Sequence, residues 1–239
     1  MGAPARVLHD RPARGACYKP AGGAGYKIDP LLAAIRRSVV PLSREDGLLL
    51  LYGSPAVLPL GLYAAADRAL AGEPVVYLDG ANAFDPFVVS RVARAHGARP
   101  QKLLTAIHVA RAFTCHQMER LVSDCLAFAL DRYQSRVAIL SGPLESFYDE
   151  AVPAGEASRL LQRMIPALHK LSARGSRLLC LCPNTEPQHQ SRYGLLMKLQ
   201  AAATRLIRVD EMAGMVRLDE ETMGSTNQWQ IPQAVLAGY

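Results

Sequence analysis

The sequence predicts an α/β protein in which a mostly parallel sheet is sandwiched between helices and is followed by a C-terminal antiparallel hairpin. The run GLLLLYG at 47–53 is continuously apolar and bounded by glycines, which is typical of a parallel strand covered on both faces. Apolar strands then alternate with amphipathic helices as far as residue 182, the pattern of right-handed β-α-β crossovers. Two strand-like segments, 204–209 and 215–218, are joined around Gly214 and predict the hairpin.

Each predicted helix has a start signal or an apolar face. Asp is a favoured N-cap and Pro fits the first helical turn, so Asp29-Pro30 starts a helix over about 30–39 and Asp85-Pro86 starts one at 86–96. Apolar residues at helical spacing predict further helices at about 60–71, at 116–131 and around 160–171. The remaining strands are predicted at 75–79, 103–109, 136–140 and 177–182, and residues 220–239 carry no clear pattern.

The composition favours one globular core at 29–239, preceded by a flexible basic arm at 1–28 that is rich in Gly, Pro and Ala. The net charge of +6 is compatible with a polyanionic partner, although a modest charge is a weak indicator of one. Five cysteines, an odd number, fit reduced thiols better than a disulfide framework. The sequence contains neither a long apolar span nor a secretory signal, so we expect a cytoplasmic protein.

The arm contains a short repeat, in which Gly15-Ala16-Cys17-Tyr18-Lys19 is followed by Gly23-Ala24-Gly25-Tyr26-Lys27. It presents an aromatic ring beside a cation twice on a glycine-rich tether. Such a pair can stack on bases or dock on a protein, so Tyr18, Lys19, Tyr26 and Lys27 are candidate docking residues. The alternative interpretation is a disordered tail with a chance similarity.

The segment at 74–120 is similar to the RadA-type strand-exchange recombinases. Its motifs Tyr77-Leu78-Asp79-Gly80 to Phe84-Asp85-Pro86, Ala110-Arg111-Ala112-Phe113 and His116-Gln117-Met118 resemble the family motifs YIDTEGTFRPER and ARAFNSDHQM. The resemblance implies a RecA-like fold over about 30–219, because antiparallel strands follow the parallel core in that family as well.

The resemblance also implies where a nucleotide would bind, and the required residues are missing there. The first strand of a P-loop ATPase ends in GxxxxGK followed by Ser or Thr, which wraps the phosphates in amides and binds Mg²⁺. The same place here is Gly53-Ser54-Pro55-Ala56-Val57-Leu58-Pro59-Leu60. Gly53 matches the first glycine, but Leu58, Pro59 and Leu60 replace the second glycine, the lysine and the hydroxyl residue.

Other positions of the family pattern have lost their chemistry too. Ser141 stands where the resemblance implies the magnesium-binding aspartate, and Ala81 stands where it implies the catalytic glutamate. The polar sensor position falls in Cys182-Pro183-Asn184. We therefore expect a pseudo-ATPase without enzymatic activity and without a cofactor, and the spacing of Cys and His predicts no metal site.

Two loops follow the fourth and fifth predicted strands, where the family holds DNA. The first, at 141–158, is acidic and would repel phosphates, so its Phe147 and Tyr148 are candidate anchors of a protein contact, with a solvated loop and two packed aromatics as the alternative. The second offers groups that stack on bases and bind phosphates. The candidates for nucleic-acid binding in and after it are His189, Arg192, Tyr193, Lys198, Arg205 and Arg208. The alternative is an ordinary polar connection.

The first hypothesis is therefore a catalytically inactive accessory protein of DNA recombination or repair. It would assemble with another RecA-like subunit or with itself, bind single-stranded DNA in addition, and associate with the nucleoid if it does. A second hypothesis is a scaffold like the Elongator accessory subunits, which use RecA-like folds to bind RNA. A third is an ATPase that binds nucleotide by an unconventional route.

Overall fold

The structure is a computed structural model that describes residues 47–184, 192, 194–222, 225–233 and 236. The predicted arm and the predicted helix at 30–39 lie outside the described residues. So do most residues of the loop at 185–193.

One eight-stranded sheet organises the fold, with the strand order β3-β2-β4-β5-β1-β6-β7-β8. The first six strands in this spatial order run parallel to one another. The last two, β7 and β8, complete the sheet with antiparallel pairings. The mostly parallel sheet and the C-terminal hairpin are both confirmed, and β8 extends the hairpin by a third strand. The strands are β1 Leu48–Gly53, β2 Val75–Asp79, β3 Ile107–Arg111, β4 Val137–Ser141, β5 Arg177–Pro183, β6 Arg205–Met212, β7 Met215–Thr222 and β8 Ser225–Pro232.

Helices connect the parallel strands and cover both faces of the sheet. They are α1 Val57–Leu70, α2 Pro86–Ala95, α3 Pro100–Ala106, α4 Cys115–Arg120, α5 Leu126–Arg132, α6 Ala154–Ala173 and α7 Gly194–Ala202. A π-helical turn, Leu121–Cys125, joins α4 to α5, and a 3-10 turn, Glu145–Tyr148, precedes α6.

Alternate residues of β1 belong to the two apolar layers, as expected for a strand covered on both faces. Leu49 and Leu51 pack in the layer that contains α1, α2 and α3. Leu48 and Leu50 pack in the layer on the other face, with residues of α4, α5, α6 and α7. All four leucines are buried. β1 is therefore packed on both of its faces, and the loop that follows it begins from a well-packed strand end.

The predicted start of α2 is confirmed. The Asp85 carboxylate accepts a hydrogen bond of 2.7 Å from the Phe87 amide, and Pro86 occupies the first helical turn. This capping satisfies an amide that would otherwise lack a partner at the helix start.

The prediction of a strand at 103–109 is wrong in its first half. Residues 100–106 form α3, and β3 begins only at Ile107. Pro100 lies in the first turn of α3, where its fixed φ favours a helix, and Leu103 is buried. A short apolar run does not by itself distinguish a strand from one buried helical turn.

No helix in the described ranges is long and apolar enough to span a bilayer.

Candidate site at the carboxyl edge of the sheet

The candidate site lies where the parallel strands end. Their carboxyl ends meet at one edge of the sheet, the usual position of ligand sites in open α/β sheets. At this edge the loop after β1 contacts β6, and the loop after β2 contacts the end of β4.

The loop after β1 is tied to β6 through backbone atoms. Gly53 has a φ of +121°, which L side chains rarely adopt, and a Cβ added to it would lie 2.3 Å from the Val209 carbonyl oxygen. The next amide, that of Ser54, donates to the same oxygen at 2.8 Å. The packing of the backbone therefore requires glycine at position 53.

The start of α1 has its amides occupied by partners within the protein. Residues 55 and 59 are prolines, which have no N–H to donate. The remaining bonds run from Ser54 N to Val209 O (2.8 Å), Ala56 N to Ser54 Oγ (3.1 Å), Val57 N to Ser54 O (3.1 Å), Leu58 N to Pro55 O (3.1 Å) and Leu60 N to Ala56 O (3.3 Å). A helix N-terminus binds phosphate through free amides, so this one must open before it can do so.

The side chains of the same loop divide between core and surface. Leu60 is fully buried, and the half-buried Leu58 packs against the same apolar layer. Pro55 is exposed and Pro59 is half-buried. Of the residues predicted to form an apolar interface, Pro55 is therefore the exposed one, with Leu58 and Pro59 half-buried beside it.

Glu211 is a residue of this site that the sequence did not reveal. The Ser54 hydroxyl donates to its Oε1, and the Gln233 side-chain amide donates to its Oε2 at 2.7 Å. A carboxylate therefore stands beside the loop that would hold phosphates in an ATPase. The only sequence signal was the acidic pair after residue 209, and its significance depends on the pairing of β6 with β1.

Asp79 has a structural role at the end of β2. It is fully buried, its Oδ1 accepts from the Ala83 amide at 2.9 Å, and its Oδ2 accepts from the Phe84 amide at 3.1 Å. Arg111 at the end of β3 approaches Oδ2 with its Nε at 3.3 Å. The Asp79 carboxylate thus fixes the loop at 80–84 through two amides. The Arg111 guanidinium partly neutralises the charge of this carboxylate.

The ends of β2 and β4 are in direct contact at Ala81 and Ser141, the positions where the family resemblance led us to expect acids. The amides of Gly80 and Ala81 both donate to the Ser141 carbonyl, at 2.8 and 3.1 Å. A Cβ on Gly80 would lie 2.6 Å from the Gly142 carbonyl oxygen, and one on Gly142 would lie 2.6 Å from the Ala81 Cβ. The contact leaves no room for a larger side chain between the two loops.

Two buried hydroxyls lie under this contact. Tyr77 and Ser141 are fully buried, and neither hydroxyl has a hydrogen-bond partner within the described part of the chain. Burial raises the pKa of Tyr77 above its usual range; the nearby Ser141 hydroxyl opposes this, although its geometry falls short of a hydrogen bond, and the Asp79 charge adds to it. The phenol therefore stays protonated and packs edge-on against Phe84, with ring centroids 5.2 Å apart.

A shallow cleft of about 260 Å³ opens beside the loop after β1. Its lining is mostly apolar and consists of Pro55, Ala56, Pro59, Glu211, Gln233 and Leu236. The cleft therefore combines an apolar wall with a single carboxylate.

The acidic loop after β4 is fastened by Arg192. This residue is only 3% exposed, and its guanidinium donates to the carbonyls of Phe147 and Val152. Phe147 itself is buried, which favours the packed-aromatic interpretation over an exposed anchor. Arg192 was a candidate for nucleic-acid binding, and its position argues against that role because its charged group faces the protein interior.

The other described candidates for nucleic-acid binding also have partners within the protein. Lys198 Nζ donates to Ser158 Oγ at 2.5 Å, and Arg205 Nε lies 2.6 Å from Glu220 Oε1. Arg208 lies 3.1 Å from Asp210 and 3.8 Å from Asp219. His189 and Tyr193, like Tyr18, Lys19, Tyr26 and Lys27 of the arm, lie outside the described residues.

The cysteines of β5 are buried thiols. Burial raises the pKa of Cys180 to about 12 and raises that of Cys182 as well, so both stay protonated. In the ranges described, no three His, Cys, Asp or Glu residues are grouped so that they could hold a metal ion.

Comparison of the sequence with protein-family models and with curated proteins finds no match.

Gly53→Ala should lower the free energy of unfolding by at least about 1–3 kcal/mol, because a Cβ would meet the Val209 carbonyl in a backbone conformation unsuited to alanine. Urea denaturation measures the change. The matched control is Gly155→Ala in α6, where an added Cβ meets nothing within 4 Å. It should be neutral or stabilising by up to about 1 kcal/mol. Equal stability of the two variants would contradict the proposed tie between β1 and β6.

Proposed function

We propose that this chain is a catalytically inactive RecA-like protein that acts in DNA recombination or repair by assembling with another RecA-like subunit or with a second copy of itself. The resemblance of the segment at 74–120 to recombinases supports the family. The mostly parallel sheet, followed by antiparallel strands, is compatible with it.

The closed start of α1 is the observation that carries the proposed inactivity. Phosphoryl transfer depends on positioned donors and cations around the phosphates. Here the amides at 54–60 are occupied or replaced by prolines, and Leu58, Pro59 and Leu60 supply no charge. Glu211 adds a negative charge on the same side, which would repel a phosphate.

The tight contact between β2 and β4 supports the same conclusion independently. A catalytic carboxylate and a metal would both need space between Ala81 and Ser141. The hydrogen bonds to the Ser141 carbonyl and the contact of Gly142 with Ala81 fill that space with protein atoms.

Assembly is the function that remains at this edge. RecA-like subunits dock on one another with nucleotide between them, and the loop after β1 lies at that junction. In this chain the loop has an exposed proline, Pro55, and its amides are hydrogen-bonded within the protein. A subunit interface formed by this loop would be constitutive and would not depend on ATP.

Isothermal titration calorimetry with ATP and Mg²⁺ should give no binding heat, since phosphates find no free amide and no lysine at the start of α1. An ATPase with an intact P-loop serves as the positive control. A saturable heat with a dissociation constant below about 1 mM would contradict the proposal and favour the unconventional ATPase.

Light scattering after size exclusion should show association that is the same with and without ATP. Pro55→Asp should weaken it at least about tenfold, because a charge would be buried in the joint. Met197→Asp is the matched control, since Met197 is 67% exposed on α7. A monomer at high concentration, with no RecA-like protein co-purifying from cells, would contradict assembly.

A gel-shift comparison at fixed salt tests the proposed single-stranded DNA binding against the RNA alternative. We expect weak, salt-sensitive retention of single-stranded DNA, because the described basic candidates are paired within the protein. Tight binding of transfer RNA alone would favour the Elongator-like scaffold.

A further inference from the structure

Glu211 lies beyond the end of β1 on the strand that pairs with it. The register joins Gly53 to Val209, and β6 continues to Met212. Side chains alternate along a strand, so Glu211 shares the face of Ile207 and Val209, against which α1 packs. The carboxylate therefore projects over the first turn of α1.

The carboxylate is fixed by two neutral donors, one on each oxygen. Ser54 Oγ donates to Oε1, and this hydroxyl also accepts from the Ala56 amide at 3.1 Å. Gln233 Nε2 donates to Oε2 at 2.7 Å. The group is thus oriented without being neutralised.

No cation pairs with Glu211 among the residues that the structure describes. The nearest arginines in sequence, Arg208 and Arg217, form ion pairs with Asp210 and Asp219 instead. Arg208 and Asp210 alternate with Glu211 along β6 and therefore lie on the other face of the sheet. An ionised carboxylate accepts about four hydrogen bonds, so two acceptor positions remain available.

The walls around the carboxylate are apolar. Pro55, Ala56, Pro59 and Leu236 line the cleft of about 260 Å³ beside it. The prolines offer no N–H, and among the described lining residues the Gln233 amide, which already donates to Oε2, is the one side-chain donor.

We propose that this cleft binds an arginine side chain, presented between apolar residues on a segment of the partner protein. The inference rests on the proposed function, because it names the side chain that the partner would insert beside the loop after β1. A guanidinium offers two parallel N–H groups that match a carboxylate, and its aliphatic stem packs on apolar walls. Lysine offers a compact, strongly hydrated charge and fits this combination less well.

The proposal assigns Glu211 the place of the missing nucleotide. In an ATP-dependent joint, the bound phosphates supply the anion that a neighbouring subunit's basic residue can reach. Here the chain supplies its own anion at the same edge. The joint would therefore gain an ionic contact that needs no ligand.

The test uses a peptide pair that differs only in charge. Acetyl-Leu-Arg-Leu-amide and the same peptide with citrulline are titrated into the full-length ¹⁵N-labelled protein, and chemical shifts report binding. We expect the arginine peptide to bind about fivefold more tightly, as expected for one oriented but partly exposed ion pair. The lysine peptide should fall between the two.

Glu211→Gln should abolish the preference for arginine over citrulline, while Asp124→Asn, an exposed acidic residue of the π-helical turn, should leave it unchanged. Ser54→Ala keeps the charge and removes one orienting donor, so it should reduce the preference. This variant keeps the test decisive if Glu211→Gln does not fold. Equal binding of the two peptides to the unaltered protein, or a preference that survives Glu211→Gln, would overturn the inference.

Failure of the inference and failure of the proposed function give different results. If assembly weakens with Pro55→Asp but Glu211→Gln leaves it unchanged and the peptides bind equally, the arginine site is wrong and the assembly edge stands. If the peptides discriminate but the chain never assembles, the cleft binds arginine and the proposed function is wrong.

Discussion

The hydrogen bond from the Ser54 amide to the Val209 carbonyl is the contact on which the candidate site depends. It is 2.8 Å long and extends the pairing of β1 with β6 past the end of the strand. The bond requires the unusual φ of Gly53 and draws the loop against β6. The remaining turn has only Ser54, Pro55 and Ala56 before α1 begins, so it closes on its own carbonyls and offers no phosphate cradle.

Most of the described arginines near this loop form ion pairs within the protein. The arginines of β6 and β7 are paired with Asp210, Asp219 and Glu220 of the same strands. The Arg192 guanidinium donates hydrogen bonds to backbone carbonyls of the acidic loop. The net positive charge of the chain therefore does not form a basic patch on β6 and β7, whereas Glu211 has no cationic partner within the described ranges. This distribution favours a protein partner at that edge over a polyanion.

Local patterns predicted much of the fold, because a strand, a cap or a helix start depends on neighbouring residues. The apolar run of β1 and the Asp85-Pro86 start of α2 are of this kind. The boundary between α3 and β3 was missed because Leu103 and Leu104 fit either element. The importance of Gly53 and the absence of a lysine after it were found from the sequence. Glu211 was not, because its contact with Ser54 joins residues 157 positions apart and depends on the pairing of β6 with β1. The eighth strand was missed for the same reason, since its partner β7 defines it.

The contact between Gly80, Ala81 and Gly142 limits which acidic side chains the ends of β2 and β4 can carry. An aspartate placed at Ser141 would put a second carboxylate in the interior near the buried Asp79, and Arg111 is the one cation paired there among the described residues. A glutamate at Ala81 would have to displace the Gly142 backbone. A larger acid at position 81 would therefore displace the main chain, and an acid at position 141 would add a buried charge, so the small residues at this contact keep further carboxylates away from Asp79.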